Sequence, residues 1–131
     1  MSITASLNGN VSIIDSLNNS GPQLVFQFIQ NSGLTDYSYL RGYQVPTSAT
    51  PIAFPFGITL VQVAYIRNVG SSTDLVVTWT PVVMGGGSNP VIQLEPGAAI
   101  IFLEPTLSKG ISALSLQSIT NPTNVDLIIA G

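Results

Sequence analysis

The sequence predicts an all-β fold, a β-sandwich of jelly-roll type with about eight strands and little or no helix. Turn formers punctuate the chain at short intervals, since its 131 residues include 12 glycines and 9 prolines. The short segments between them are rich in β-branched and aromatic residues, and many alternate between apolar and polar positions with the period of two of a half-buried strand. A chain of this length supports one core, so residues 1–131 are expected to form a single domain.

Alternation is clearest in residues 75–80, where Leu75, Val77 and Trp79 share one face and Trp79 is expected in the core. Residues 107–119 also contain apolar positions at helical spacing, but Gly110 interrupts them, so at most one short helix or turn is expected there. The expected strands lie near residues 3–7, 11–17, 23–30, 37–45, 58–67, 74–80, 91–103 and 112–129, the last two being split by turns.

Three segments between these strands have distinct expectations. Residues 44–55 contain three prolines and are expected to cross between the sheets as an extended loop. Residues 85–87 are all glycine, but the Lys-Ser/Thr pair of a phosphate-binding loop does not follow them, so they are not expected to bind phosphate. They indicate a hairpin tip. Residues 1–20 are polar, and they form either a first hairpin or an N-terminal arm that reaches a neighbouring subunit.

Charged residues are scarce in this chain. They make up 7% of it, against about 25% in an ordinary soluble protein. Depletion of charge is typical of the cores of protein interfaces, so the composition favours a homo-oligomer. If the chain is a structural assembly protein, a trimer is the expected order. The alternative is a monomer that Ser, Thr, Asn and Gln side chains keep soluble.

The same composition excludes several classes of partner and site. Three basic residues and a net charge of −3 disfavour binding to nucleic acid or to an anionic membrane. The N-terminus lacks the basic and apolar regions of a signal peptide, and no apolar run is long enough to span a bilayer.

Catalysis and metal binding are also disfavoured. Without histidine or cysteine, the usual general base and the usual zinc ligands are missing, so no catalytic residue, cofactor or metal is expected. Glu95 and Glu104 are the nearest pair of carboxylates in sequence that could serve a glycosidase. Each precedes a proline at a predicted strand end, and both are interpreted as turn residues in water.

The candidate binding residues are Tyr37, Tyr39, Arg41 and Tyr43, which would share one face of a regular strand. Tyrosine and arginine are enriched at interaction hot spots, and tyrosine rings also stack on sugars. This stretch is therefore a candidate interface or ligand face. The alternative is a strand whose tyrosine rings pack on the core with their hydroxyls at its rim.

The second half of the chain resembles a known group of proteins in the order of its strands and turns. The segments that carry the resemblance are AYIRNVG at 64–70, LVVTWTP at 75–81, IQLEPG at 92–97 and IIAG at 128–131. In this order of strands and turns, residues 58–131 are similar to the small β-sandwich virion proteins of tailed bacteriophages. The resemblance implies a head-decoration or tail component, assembled in the bacterial cytoplasm and without enzymatic activity. It supplies no functional residues, and residues 1–57 do not share it.

The function expected from the sequence is therefore that of a non-enzymatic virion structural protein of a tailed phage. In the most specific form it is a head-decoration protein that stabilises the capsid through neutral contacts with itself and with the major capsid protein. The alternative is a carbohydrate- or receptor-binding module of a phage tail or fibre. A coat protein of a small RNA virus is disfavoured because three basic residues are too few to face its RNA.

Overall fold

The computed structural model describes the backbone of residues 3–14 and 22–34, and the backbone and side chains of residues 36–82, 88–104 and 108–131. All regular secondary structure in these residues is β-strand, which confirms the all-β prediction. No helix in the described part of the chain is long and apolar enough to cross a membrane. The strands are β1 (Ile3–Ile14), β2 (Pro22–Leu34), β3 (Tyr37–Val45), β4 (Thr50–Pro51), β5 (Val63–Asn68), β6 (Leu75–Pro81), β7 (Val91–Leu94), β8 (Ala99–Leu103), β9 (Ile111–Ser118) and β10 (Thr123–Ala130).

Strands β1 and β2 form a two-stranded antiparallel sheet that runs from the pair Ile3–Leu34 to the pair Ile14–Pro22. Among the described strands they pair only with each other. The prediction of two short strands in residues 3–17 was wrong, because Gly9 continues the ladder opposite Phe28 instead of forming a turn. Residues 3–14 thus form one side of a hairpin, while residues 15–20 lie outside the described residues and contact with a neighbouring subunit stays a prediction.

The other eight strands form two antiparallel four-stranded sheets with the strand orders β3-β10-β5-β8 and β4-β9-β6-β7. Successive pairs nest inside one another, since β3 pairs with β10, β4 with β9, β5 with β8 and β6 with β7. A single long hairpin wound so that its strand pairs alternate between two sheets is a jelly roll. The predicted sandwich and its jelly-roll topology are therefore confirmed.

The hydrophobic core lies between the two sheets. Alternate residues of the central strands point into it, among them Leu127 and Ile129 of β10, Leu75 of β6 and Leu116 of β9, all of which are fully buried. Trp79 is half-buried and packs against this core, as predicted. Burial of a Leu or Ile side chain stabilises a domain by about 1.5–3 kcal/mol, so this shared interior holds the two sheets together.

Several connections differ from the sequence interpretation or lie outside the described residues. Residues 111–118 form β9, as the strand predicted near residues 112–129 requires, because Leu114 and Leu116 alternate into the core at strand spacing. Residues 95–98 and 119–122 split the last two predicted strands, as expected. The segment 44–55 leads from β3 to β4 in the opposite sheet, and the glycine tip at 85–87 lies outside the described residues.

Gly110 precedes β9 and makes a close approach that a side chain would prevent. Its φ is 137°, and a Cβ atom there would lie 2.5 Å from the carbonyl oxygen of Val61. We expect Gly110→Ala to lower the free energy of unfolding by about 3 kcal/mol, measured by chemical denaturation, because backbone strain and overpacking add. Gly57→Ala is the control, since Gly57 has a φ of 87° but open space around its Cβ, and it should cost about 1 kcal/mol. Equal losses would show that the close approach contributes nothing.

Candidate protein interface

The tyrosine-rich stretch lies on β3, an edge strand of the β3-β10-β5-β8 sheet. Tyr37 and Tyr39 are 58% and 54% exposed, and Arg41 is exposed as well. Tyr43 differs, because it is half-buried and packs against the core. The prediction that all four residues share one face was therefore wrong for Tyr43, and three of them remain on the outer face.

A β-bulge causes this change of face. Leu40 pairs with Leu127 and Tyr43 with Val125, so β3 has one residue more than β10 between these two pairs. Gly42 takes a φ of 63° at the bulge, and its N–H donates a 2.9 Å hydrogen bond to Oδ1 of Asp126. An extra residue shifts the alternation by one, so residues after the bulge exchange faces.

The outer face of this sheet carries a continuous row of large apolar side chains. Tyr39 lies opposite Ile128, Ile128 opposite Tyr65, and Tyr65 opposite Ile101. We call these four residues the apolar row. Neighbouring strands are about 4.8 Å apart, so the row crosses all four strands over about 14 Å. Tyr39, Ile128 and Ile101 are 54%, 36% and 44% exposed, and Tyr65 is half-buried.

Charged groups lie beside one flank of the apolar row. Asp126 lies directly opposite Arg67 on the next strand, two positions along β10 and β5 from the row. Arg41 is exposed at the bulge near the same level of the sheet. This face therefore holds two of the three basic residues of the chain beside an apolar centre. An apolar centre bordered by polar groups is the usual anatomy of a protein interface.

The outer face of the opposite sheet has a different chemistry. Val76 of β6 lies between Gln93 and Gln117, and Thr78 lies between Val91 and Ser115. These positions combine hydroxyl, amide and small aliphatic groups, and none is charged. Hydroxyl and amide groups keep such a face compatible with water. The contrast between the two faces singles out the apolar row as the candidate contact surface.

Three members of the apolar row were missed in the sequence interpretation of binding residues. Ile128, Tyr65 and Ile101 were each placed in predicted strands, but any two of them are at least 27 residues apart in sequence. Only the register between strands brings them together, and the pattern within one strand does not reveal that register. A signal was present, since Ile128 alternates with the buried Leu127 and Ile129. An isoleucine between two core-facing residues of a strand points to the opposite face, so it is a candidate for an exposed position.

The two glutamates named as a candidate carboxylate pair lie at the ends of strands. Glu95 is exposed in the turn after β7, and Glu104 is half-buried just beyond the end of β8. Among the described residues, no group of three acidic side chains is placed to hold a metal ion. A cavity of about 220 Å³ beneath β8 is lined by apolar residues, including Trp79, Ile100 and Phe102. Such a lining offers few polar groups to orient a substrate.

Comparison of the chain with protein-family models, with curated proteins and with solved structures finds no match. The functional inference therefore depends on the geometry and chemistry of this chain itself.

Proposed function

We propose that this protein is a non-enzymatic structural protein of a virus particle that acts by self-association. The observation that carries the proposal is the apolar row on the outer face of the β3-β10-β5-β8 sheet, bordered by Asp126 and Arg67. In its most specific form, the proposal is a head-decoration protein of a tailed phage, located in the virion. Its partners are then further copies of the chain and the major capsid protein.

Interface chemistry supports the self-association part of the proposal. Exposed apolar side chains that adjoin one another across four strands are a feature of surfaces that another protein covers. Two tyrosines in the row match the enrichment of tyrosine among binding hot spots, and charge is depleted across the chain at 7%. Burial of the row in a contact would remove the exposed side chains of Tyr39, Ile128 and Ile101 from water.

The virion part of the proposal is supported by fold and composition together. Double-sheet jelly rolls recur in viral capsid proteins, although the same fold also serves other functions. A domain without cysteine cannot be stabilised by disulfides, so contacts between subunits are an available source of additional stability. A protein that works by such contacts needs no catalytic constellation.

The test is the native mass of the purified chain, measured by light scattering on a sizing column at micromolar concentration. We expect a single defined oligomer, a multiple of the 13.7 kDa chain mass. The reason is that the apolar row is more favourably buried against a second copy than exposed to water. A clean monomer that also fails to bind phage particles would contradict the proposal.

A carbohydrate- or receptor-binding module is the second candidate function. The observation that favours it is the exposure of Tyr37 and Tyr39, which lie two residues apart on β3 and whose rings could stack on sugars. The jelly-roll fold also occurs in lectin domains. Glycan-array binding that is lost in Tyr37→Ala and Tyr39→Ala would support this function. Silence of the wild-type protein on the array would contradict it.

A further inference from the structure

The edge strand β8 leaves a row of backbone groups without a strand partner. It lies at the end of the order β3-β10-β5-β8, and among the described strands only β5 pairs with it. Unpaired N–H and C=O groups on a sheet edge are a ready template for another strand. The geometry of this edge therefore bears directly on how copies of the chain associate.

The alternation of hydrogen bonds shows which residues of β8 face the free edge. The N–H of Glu104 donates to the carbonyl of Gln62 at 2.8 Å, and the N–H of Asn68 donates to the carbonyl of Ala98 at 3.0 Å. In an antiparallel ladder, bonded residues alternate along each strand. Residues 98, 100, 102 and 104 thus bond towards β5, and the backbone groups of 99, 101 and 103 point outwards.

The other three edges of the sandwich carry features that discourage strand addition. Strand β3 has the bulge at Gly42 and the charge of Arg41. Strand β4 has two residues, one of them Pro51, and β7 has four residues between Pro90 and the Glu95-Pro96 turn. Bulges, charges, prolines and short length are the usual devices that protect sheet edges.

Strand β8 is also short and is followed by Glu104-Pro105, but it has no bulge, charge or proline within it. Its five residues read Ala-Ile-Ile-Phe-Leu, without charge or proline, and its register with β5 is regular. Of the four edge strands of the two sheets, β8 is the one whose residues are all apolar, and this makes its free edge the best template for a partner strand. A second copy of this chain offers such a strand, because β8 can pair antiparallel with its own copy so that the outward-facing residues 99, 101 and 103 of each copy face one another.

We propose that two copies pair antiparallel along β8, about a two-fold axis that passes between their Ile101 residues. This inference rests on the proposed self-association and specifies its geometry. The three outward-facing residues of each copy would exchange about six backbone hydrogen bonds. The two four-stranded sheets become one of eight strands, and the apolar row continues across the axis from Ile101 to Ile101 of the second copy.

The pairing also determines the symmetry of the assembly. A contact in which the same strand meets itself is isologous and gives an even number of copies, in contrast to the trimer expected for an assembly protein. The outer face that bears the joined apolar rows stays available after β8 pairing. If that face also meets itself about a two-fold axis, the two contacts together build a closed tetramer.

A single cysteine tests the pairing on a chain that has none of its own. In the proposed register the two Ile101 residues form a hydrogen-bonded pair with Cα atoms about 5.5 Å apart, within the range that a disulfide spans. We expect Ile101→Cys to form a disulfide-linked dimer under mild oxidation, at least about tenfold faster than Val91→Cys at equal concentration. Val91 is the matched control because it is an exposed apolar residue, 61% exposed, on the edge strand of the other sheet.

Proline substitution tests the pairing without any cross-link. Ile101→Pro removes an N–H that points to the free edge and leaves the bonds to β5 intact, so the native mass should fall by half. Val91→Pro makes the same change on β7. The hydrogen bond from the Trp79 N–H to the Pro90 carbonyl shows that the Val91 N–H also points towards a free edge. This control variant should keep the wild-type mass.

The outcomes separate this inference from the proposed function. A wild-type oligomer whose mass is unchanged by Ile101→Pro, with no faster cross-linking of Ile101→Cys than of Val91→Cys, would overturn β8 pairing and leave self-association standing. If Ile101→Pro does not fold, the cross-linking rates decide alone. A wild-type monomer with equal cross-linking rates, which also fails to bind phage particles, would overturn both.

Discussion

Replacing Asn68 with alanine is expected to lower the free energy of unfolding by about 3–5 kcal/mol. The Asn68 side chain is fully buried at the end of β5, and its amide makes four hydrogen bonds. Nδ2 donates to the carbonyls of Thr73 and Leu94 at 2.9 and 3.0 Å, and Oδ1 accepts from Thr123 Oγ1 and the Gly70 N–H at 3.0 and 3.2 Å. These four bonds use the full hydrogen-bonding capacity of an asparagine side chain.

The size of the effect follows from where these partners lie. Thr123 belongs to β10 in the same sheet as Asn68, whereas Leu94 belongs to β7 in the opposite sheet. One amide therefore connects the two sheets at this end of the sandwich. Its removal leaves two carbonyls and a hydroxyl without their partner in a buried site, and each such group costs about 1–3 kcal/mol.

Chemical denaturation of Asn68→Ala and of Asn124→Ala measures this effect. Asn124 is the control because its side chain is exposed on β10, and its replacement should change the free energy of unfolding by less than about 0.5 kcal/mol. A loss below about 1 kcal/mol for Asn68→Ala would show that water replaces the amide at little cost.

The period-two pattern was sufficient to predict most of the fold. Residues 75–80 alternate strongly, and β6 places Leu75, Val77 and Trp79 towards the core as expected. The sandwich could be predicted because each strand needs only local alternation to specify its buried face. Residues 111–118 were also placed in a predicted strand, but their apolar residues fit helical spacing as well, and the pairing of β9 with β6 decides between the two.

The candidate interface could be predicted only in part. Tyr37 and Tyr39 were found because they lie two residues apart in one strand, but Tyr43 was misplaced because regular alternation was assumed through Gly42, although a glycine inside a strand pattern is a signal for a bulge. The Gly42 N–H at the bulge donates its hydrogen bond to the carboxylate of Asp126, 84 residues away in the chain. Long-range pairing of this kind also brings Ile128 and Ile101 onto the face, and alternation within one strand contains no information about it.

Replacing Ile128 with lysine is expected to weaken self-association by about 100-fold or more, which corresponds to about 3 kcal/mol. Ile128 lies at the centre of the apolar row, between Tyr39 and Tyr65. In the free chain this position is 36% exposed, so a lysine can extend its charge into water at small cost to folding. In a contact that covers the row, the ammonium group would lose its hydration without gaining a carboxylate partner in the row.

Native mass as a function of concentration measures this loss, with Val91→Lys as the matched control on the opposite sheet. Val91 is also an exposed aliphatic residue in a strand, but it lies among neutral polar groups and not in the apolar row. Lysine there should leave the oligomer unchanged. The combined variant Ile128→Lys, Ile101→Cys should still cross-link, because pairing along the β8 backbone does not bury position 128. Equal weakening by Ile128→Lys and Val91→Lys would indicate a general effect of charge and would remove the apolar row as the contact surface.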